Sequence, residues 1–201
     1  GRMAFYQSGL ENLIIPDSVT TILTLAFKEC QNLKKVTFGK NVQFGKTSAP
    51  SLEEYIFEGC PKLEEVILND KLTKLPVHTF DNCVKLKKIT WGTELTEIGA
   101  YCFQKCAFES ITIPNSVINI QREAFNDCTK LKDLILNDGL KTLGDSSFED
   151  TAITTIIIPN SLENMGKFTF KGSSLNTVYL AYGQTIKLQK GTNRFETIKY
   201  E

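Results

Sequence analysis

The sequence predicts a repeat solenoid of the α/β class. Three observations predict it: a phenylalanine recurring at nearly constant spacing, a small residue three places after it, and a short apolar segment of strand-like period beyond that. The phenylalanines are Phe5, Phe27, Phe57, Phe80, Phe103, Phe125, Phe148 and Phe170, spaced by 22, 30, 23, 23, 22, 23 and 22 residues. The small residues are Ser8, Cys30, Cys60, Cys83, Cys106, Cys128, Thr151 and Ser173. About eight repeats of 22–23 residues follow from this register.

Each repeat opens on a strand. The segments Leu33-x-x-Val36-x-Phe38, Leu63-x-x-Val66-x-Leu68, Leu86-x-x-Ile89-x-Trp91 and Leu131-x-x-Leu134-x-Leu136 end in an apolar, outward, apolar alternation, the period of a half-buried strand. A form one residue shorter runs Leu10-x-x-Leu13-x-Ile15, Phe108-x-x-Ile111-x-Ile113, Ile153-x-x-Ile156-x-Ile158 and Leu175-x-x-Val178-x-Leu180, which accounts for the mixture of 22 and 23. A polar turn follows, as in Pro16-Asp17-Ser18, Pro114-Asn115-Ser116 and Pro159-Asn160-Ser161, where Pro fixes φ and Asx side chains bond locally. A second short apolar pair (Val19 with Ile22, Val117 with Ile120, Leu162 with Met165) makes a short strand. The stretch holding Phe and the small residue suits short helices or turns on the other side. No unit this short covers its own apolar face, so the units must stack, with the Phe ladder as spine and a parallel sheet on one side. Strands ~4.8 Å apart give an arc on the order of 35 Å.

The repeat occupies residues 1–180, with a seven-residue expansion within residues 43–52, and residues 181–201 leave the register as a C-terminal cap. Gly1-Arg2-Met3-Ala4-Phe5 matches Gly99-Ala100-Tyr101-Cys102-Phe103, so the sequence is expected to begin in mid-repeat, as a segment of a longer protein.

Composition excludes several function classes. The 23 basic and 23 acidic side chains divide evenly between the halves, so no basic face points to nucleic acid. No apolar run approaches the ~20 residues of a membrane-spanning helix. The one histidine, His78, cannot form an imidazole pair or a His-rich metal site, and it reads as a surface residue. Carboxylate pairs such as Glu53-Glu54, Glu64-Glu65 and Glu149-Asp150 are sequence neighbours, which describes a solvated face and not an acid and base across a cleft. Gly45-Lys46-Thr47 resembles the end of a phosphate loop, but position 40, where that loop needs glycine, is Lys. Five of the six cysteines share one repeat position, so their side chains point the same way from successive units and read as buried free thiols. Cys102 fills the small-residue slot before its Phe and reads likewise. No metal, cofactor or catalytic residue is expected.

The unit I-P-x-S-V-x-x-I-x-x-x-A-F-x-x-C-x-x-L-x-x-V-x-I, nearly intact over residues 113–136, closely resembles the BspA-type, or treponemal-type, leucine-rich repeat. The resemblance implies a right-handed leucine-rich-repeat solenoid with its sheet on the concave face. It also implies an extracellular or cell-surface setting, in secreted or surface proteins of host-associated bacteria and some mucosal protozoa, and a role in binding other proteins. It brings no catalytic residues.

Two surfaces are candidates for binding. The outward strand positions are Lys35, Thr37, Glu65, Ile67, Lys88, Thr90, Ser110, Thr112, Asp133, Ile135, Thr155, Ile157, Thr177 and Tyr179, a mixed polar and apolar face of the kind protein partners bury. The other is the expansion, with Phe44 and Lys46 near its tip. The expected function is a non-catalytic, adhesion-type protein-binding module, monomeric, of a bacterial surface or secreted protein, its partner a host or neighbouring-cell protein. Polysaccharide binding, which needs exposed aromatic rings, and a passive spacer are the alternatives.

Overall fold

The computed structural model describes residues 1–45, 54–180 and 197–200, and in it the chain winds as a parallel β-solenoid. Strands β1 (Asn12–Ile14), β3 (Lys35–Thr37), β5 (Glu65–Ile67), β7 (Lys88–Thr90), β9 (Ser110–Thr112), β11 (Asp133–Ile135), β13 (Thr155–Ile157) and β15 (Thr177–Leu180) bring the chain back to one face seven times. Between them lie the two-residue strands β2 (Thr21–Ile22), β4 (Gln43–Phe44), β6 (Lys74–Leu75), β8 (Glu97–Ile98), β10 (Asn119–Ile120), β12 (Thr142–Leu143) and β14 (Asn164–Met165), with β16 (Thr197–Tyr200) alongside β15. Each turn of the solenoid, or coil, is numbered here by its Phe.

The strands pair in register and parallel: Leu13 opposite Val36, Val36 opposite Val66, Ile111 opposite Leu134, Ile156 opposite Val178. Central residues such as Val36, Val66 and Ile156 are buried while their neighbours face out, as the alternation predicts.

The stretch around each Phe is a set of turns, and no helix occurs among the described residues. The backbone explains why. The residue two before each Phe and the residue two after it have φ between 38° and 70°, from Met3 and Gln7 in coil 1 to Phe168 and Gly172 in coil 8. Every positive φ of the described backbone falls on these two columns. A right-handed helix cannot pass through left-handed residues, which cost roughly 1 kcal/mol each when they are not glycine. The cost is offset between coils: the N–H groups of Leu25, Phe27 and Glu29 donate to the carbonyls of Glu54, Ile56 and Glu58 at 3.0, 2.9 and 2.8 Å. Amides spent on the next coil are not available for a helical ladder.

The phenylalanines form one continuous stack. Ring centroids of successive phenylalanines from Phe5 to Phe170 are 5.0–5.7 Å apart and the ring planes are nearly parallel, 2–19° between planes. Beside it runs a thiol ladder in which Cys30, Cys60, Cys83, Cys106 and Cys128 each donate to the carbonyl of the preceding coil's Phe, at 3.1–3.4 Å. Thr151 and Ser173 in the same slot bond instead to the Phe carbonyl of their own coil. All six cysteines are buried and free. Burial pushes the Cys128 thiol up to about 12 and raises those of Cys83, Cys102 and Cys106 as well.

The strand ladder has seams. The first sheet divides into β1-β3-β5-β7, β9-β11 and β13-β15-β16. Both breaks fall where a long-form unit is followed by a short-form one, coils 4 to 5 and 6 to 7. At the first break Ala107, one residue early, donates to Leu86 at 2.8 Å. The second sheet is continuous from β6 to β14 and breaks between β4 and β6. There, besides the expansion, Pro76 stands at the position from which Gly45, Gly99, Gln121, Gly144 and Gly166 donate to the preceding coil, and proline has no N–H to give.

Candidate functional site

Because strands of successive coils stack in register, residues 22 or 23 apart in sequence (30 across the expansion) become neighbours on the outward face. The column just before the strands reads Glu11, Lys34, Glu64, Lys87, Glu109, Lys132, Thr154, Asn176, alternating in sign and then losing charge. Lys34 meets Glu11 at 3.0 Å and Lys87 meets Glu64 at 3.0 Å. On the strands themselves Glu65 lies between Lys35 and Lys88, 2.9 Å from each. The hydrogen bonds from Lys88 and then Lys35 hold the Glu65 carboxyl below the usual carboxylate range. Alternation of this kind avoids like charges directly opposite one another.

The far end of the face is different. Over β13 and β15 the outward residues are Thr155, Ile157, Thr177 and Tyr179, and none carries a charge. With Ile135 on β11 they make an apolar row: Ile135 is 61% and Ile157 62% exposed, and Tyr179 sits beside Ile157 in register. Register then places Thr197 and Lys199 of β16 beside Thr177 and Tyr179.

Of the residues the sequence nominates, Lys35, Thr37, Glu65, Ile67, Thr177 and Tyr179 are half-buried, while Lys88, Thr90, Ser110, Thr112, Asp133, Ile135, Thr155 and Ile157 are exposed. Phe44 does not project from a tip. It lies in β4, in register with Ile22, with its ring edge-on to Phe38 at 5.7 Å, because it fills the apolar slot of the second strand. Lys46 lies outside the described residues.

Sequence reasoning missed two features. Ile14, 77% exposed, stands in register with Thr37 and extends the outward face to coil 1; the alternation Leu13-x-Ile15 carried the signal. The second is a correction: His78 is not a surface residue. Its side chain is 12% exposed, packed between the rings of Tyr55 (4.4 Å) and Tyr101 (4.5 Å), with Nδ1 2.8 Å from an Asp81 carboxylate oxygen. Lys28 lies over Tyr55 and Arg122 over Tyr101, so a cation closes each end of the three-ring stack. These rings share the left-handed column before each Phe, where the backbone lines up side chains of successive coils.

No group of three or more potential metal ligands occurs among the described residues. No helix there is long and apolar enough to cross a membrane.

The profile of the BspA type leucine-rich repeat region (6 copies) matches residues 1–99 and again residues 96–192. Among solved structures, a leucine-rich repeat protein from Bacteroides ovatus is similar at 24% identity and a TM-score of 0.59, over 94% of this chain and 63% of that one. One from Eubacterium ventriosum gives 24% and 0.74, over 85% and 45%. The T. pallidum leucine-rich repeat protein gives 27% and 0.63, over 85% and 73%. The chain thus spans less than two thirds of the first two. No curated protein is significantly similar to it. Repeat register, stacked Phe spine and matched profile together place this chain in the BspA-type leucine-rich repeat family.

Proposed function

We propose that the chain is a non-catalytic, adhesion-type protein-binding module of a bacterial surface or secreted protein, and that it binds through the outward face of its first sheet. The observation that carries this reading is the end of the charge ladder. Over coils 1 to 4 the strand face neutralises itself through the pairs of Lys34 with Glu11, Lys87 with Glu64, and Lys35 and Lys88 with Glu65, whereas from Ile135 to Tyr179 it presents uncharged, partly apolar side chains to solvent. An exposed apolar row on a rigid sheet is the kind of surface a protein partner desolvates. Membership of the BspA-type leucine-rich repeat family supports the surface setting.

The test is a binding screen of the purified chain against extracellular-matrix proteins, plasma proteins and glycans, run beside an Ile67→Ser, Ile135→Ser, Ile157→Ser, Tyr179→Ser variant whose circular dichroism matches the parent. The expected result is protein binding that disappears in the variant. Binding unchanged in the variant moves the site off this face, and binding confined to glycans replaces the reading with a carbohydrate one.

A further inference from the structure

At one end of the apolar row, where the sheet turns into the polar corner, Asp138, Ile157, Pro159, Asn160, Tyr179 and Leu180 line a cavity of about 140 Å³. Ile157, Pro159, Tyr179 and Leu180 supply the apolar part of its walls, polar atoms make up the rest, and Asp138 is its one charged group. Asp138 is exposed and forms no ion pair among the described residues.

The molecule holds an internal comparison for this position. Asp17 occupies the same place in coil 1, one residue after the corner, as Ile15-Pro16-Asp17 matches Leu136-Asn137-Asp138. The next coil supplies Asp17 with a cation: the Lys40 backbone N–H donates to one carboxylate oxygen at 2.9 Å, and the Lys40 ammonium lies 3.4 Å from the other. In the coil after Asp138, the residue equivalent to Lys40 is Asn160, which cannot supply a charge.

We propose that the Asp138 pocket receives a lysine or arginine side chain from a partner protein, its aliphatic stem on Ile157 and Tyr179 and its cation on the Asp138 carboxylate. This rests on the reading of the strand face as the binding surface and adds a charge requirement to it. Long basic side chains bury their stems on apolar surface and keep the charged end at a polar rim, which is the division the pocket offers. The uncharged residues over β13 and β15 supply contact area, and the carboxylate selects among partners.

The experiment uses the whole chain and four synthetic decapeptides of alternating isoleucine and threonine with one central lysine, arginine, glutamine or glutamate, measured by biolayer interferometry. The lysine and arginine peptides are expected to bind about threefold to fivefold tighter than the glutamine peptide, as befits a rim ion pair, and the glutamate peptide weakest. Asp138→Asn removes that preference and leaves glutamine-peptide binding unchanged, and 0.5 M NaCl shrinks the preference in the parent. Equal binding of all four peptides that is lost in Ile157→Ser keeps the strand-face reading and overturns the pocket. A basic preference that survives Asp138→Asn overturns it too, as does a parent that binds none of the four, while the protein screen separately decides the wider reading.

Discussion

Phe103 is the best place to weigh the spine. Its ring is fully buried and has four aromatic neighbours: Phe80 at 5.5 Å and Phe125 at 5.2 Å stacked, Trp91 at 5.8 Å and Phe108 at 5.6 Å edge-on. Phe103→Ala opens a cavity between two coils that are pinned by their own hydrogen bonds and cannot close over it. The transfer and cavity cost is about 3–5 kcal/mol, and because aromatic pairs contribute about 0.5–1.5 kcal/mol beyond buried area, the upper half of that range is expected. Phe5 is the internal control. It is 47% exposed with one stacked neighbour, Phe27 at 5.1 Å, so Phe5→Ala costs about 1 kcal/mol. Urea unfolding followed by far-UV circular dichroism measures both, with slopes compared because stacked repeats can unfold in parts. A Phe103→Ala loss below about 1.5 kcal/mol, or no larger than that of Phe5→Ala, would refute the spine as the main source of stability.

Three further outcomes are expected. Ser147 is fully buried, its hydroxyl has no partner among the described residues, and alanine holds the same slot at Ala26 and Ala124, so Ser147→Ala should raise stability by about 1 kcal/mol; a loss shows that the hydroxyl is satisfied. The six buried thiols, with raised proton affinity, should resist a disulfide reagent at pH 8 in native protein and react together in urea; rapid native labelling of any of them contradicts the ladder. Finally, because Lys88 and Lys35 depress the Glu65 carboxyl, its contribution to stability is present above the ordinary glutamate range and fades as pH falls through the depressed value. The unfolding midpoints of parent and Glu65→Gln should therefore differ most near neutral pH and low salt and converge in acid; a gap that ignores pH means the pair contributes nothing.

The spine and the strand face were legible because they are written in residue types. Phe recurs, cysteine or another small residue follows it, and Leu-x-x-Val-x-Phe carries a period of two. What lay between was not legible in the same way. Phe and Cys three apart fit a helical turn as well as a tighter one, and the left-handed backbone that decides the matter accepts Met3, Leu25, Tyr55, Tyr101, Glu123, Ser146 and Phe168 alike. That column shows no pattern of types, so His78 gave no sign that two tyrosines would enclose it. The outward face was half legible. Each strand showed which residues point out, but the charge ladder and its end at Thr154 exist only across coils. The Asp138 cavity needed the corner in three dimensions.

The seams make unit order a structural variable in its own right. Short-form units ahead of long-form ones keep the strand ladder whole, as coils 1 to 4 do, whereas each long-form unit followed by a short one opens a gap in it. Tandem duplication of a single unit therefore adds no gap, because the copy meets its own form, whereas a unit moved elsewhere in the array can add one, according to the neighbours it lands between. Recombination that copies a short–long pair as one block between a long unit and a short one turns a single gap into two, whereas copying a long unit next to another long unit adds none. The history of such an array is constrained by syntax as well as by vocabulary, and the 22 and 23 spacings are its punctuation.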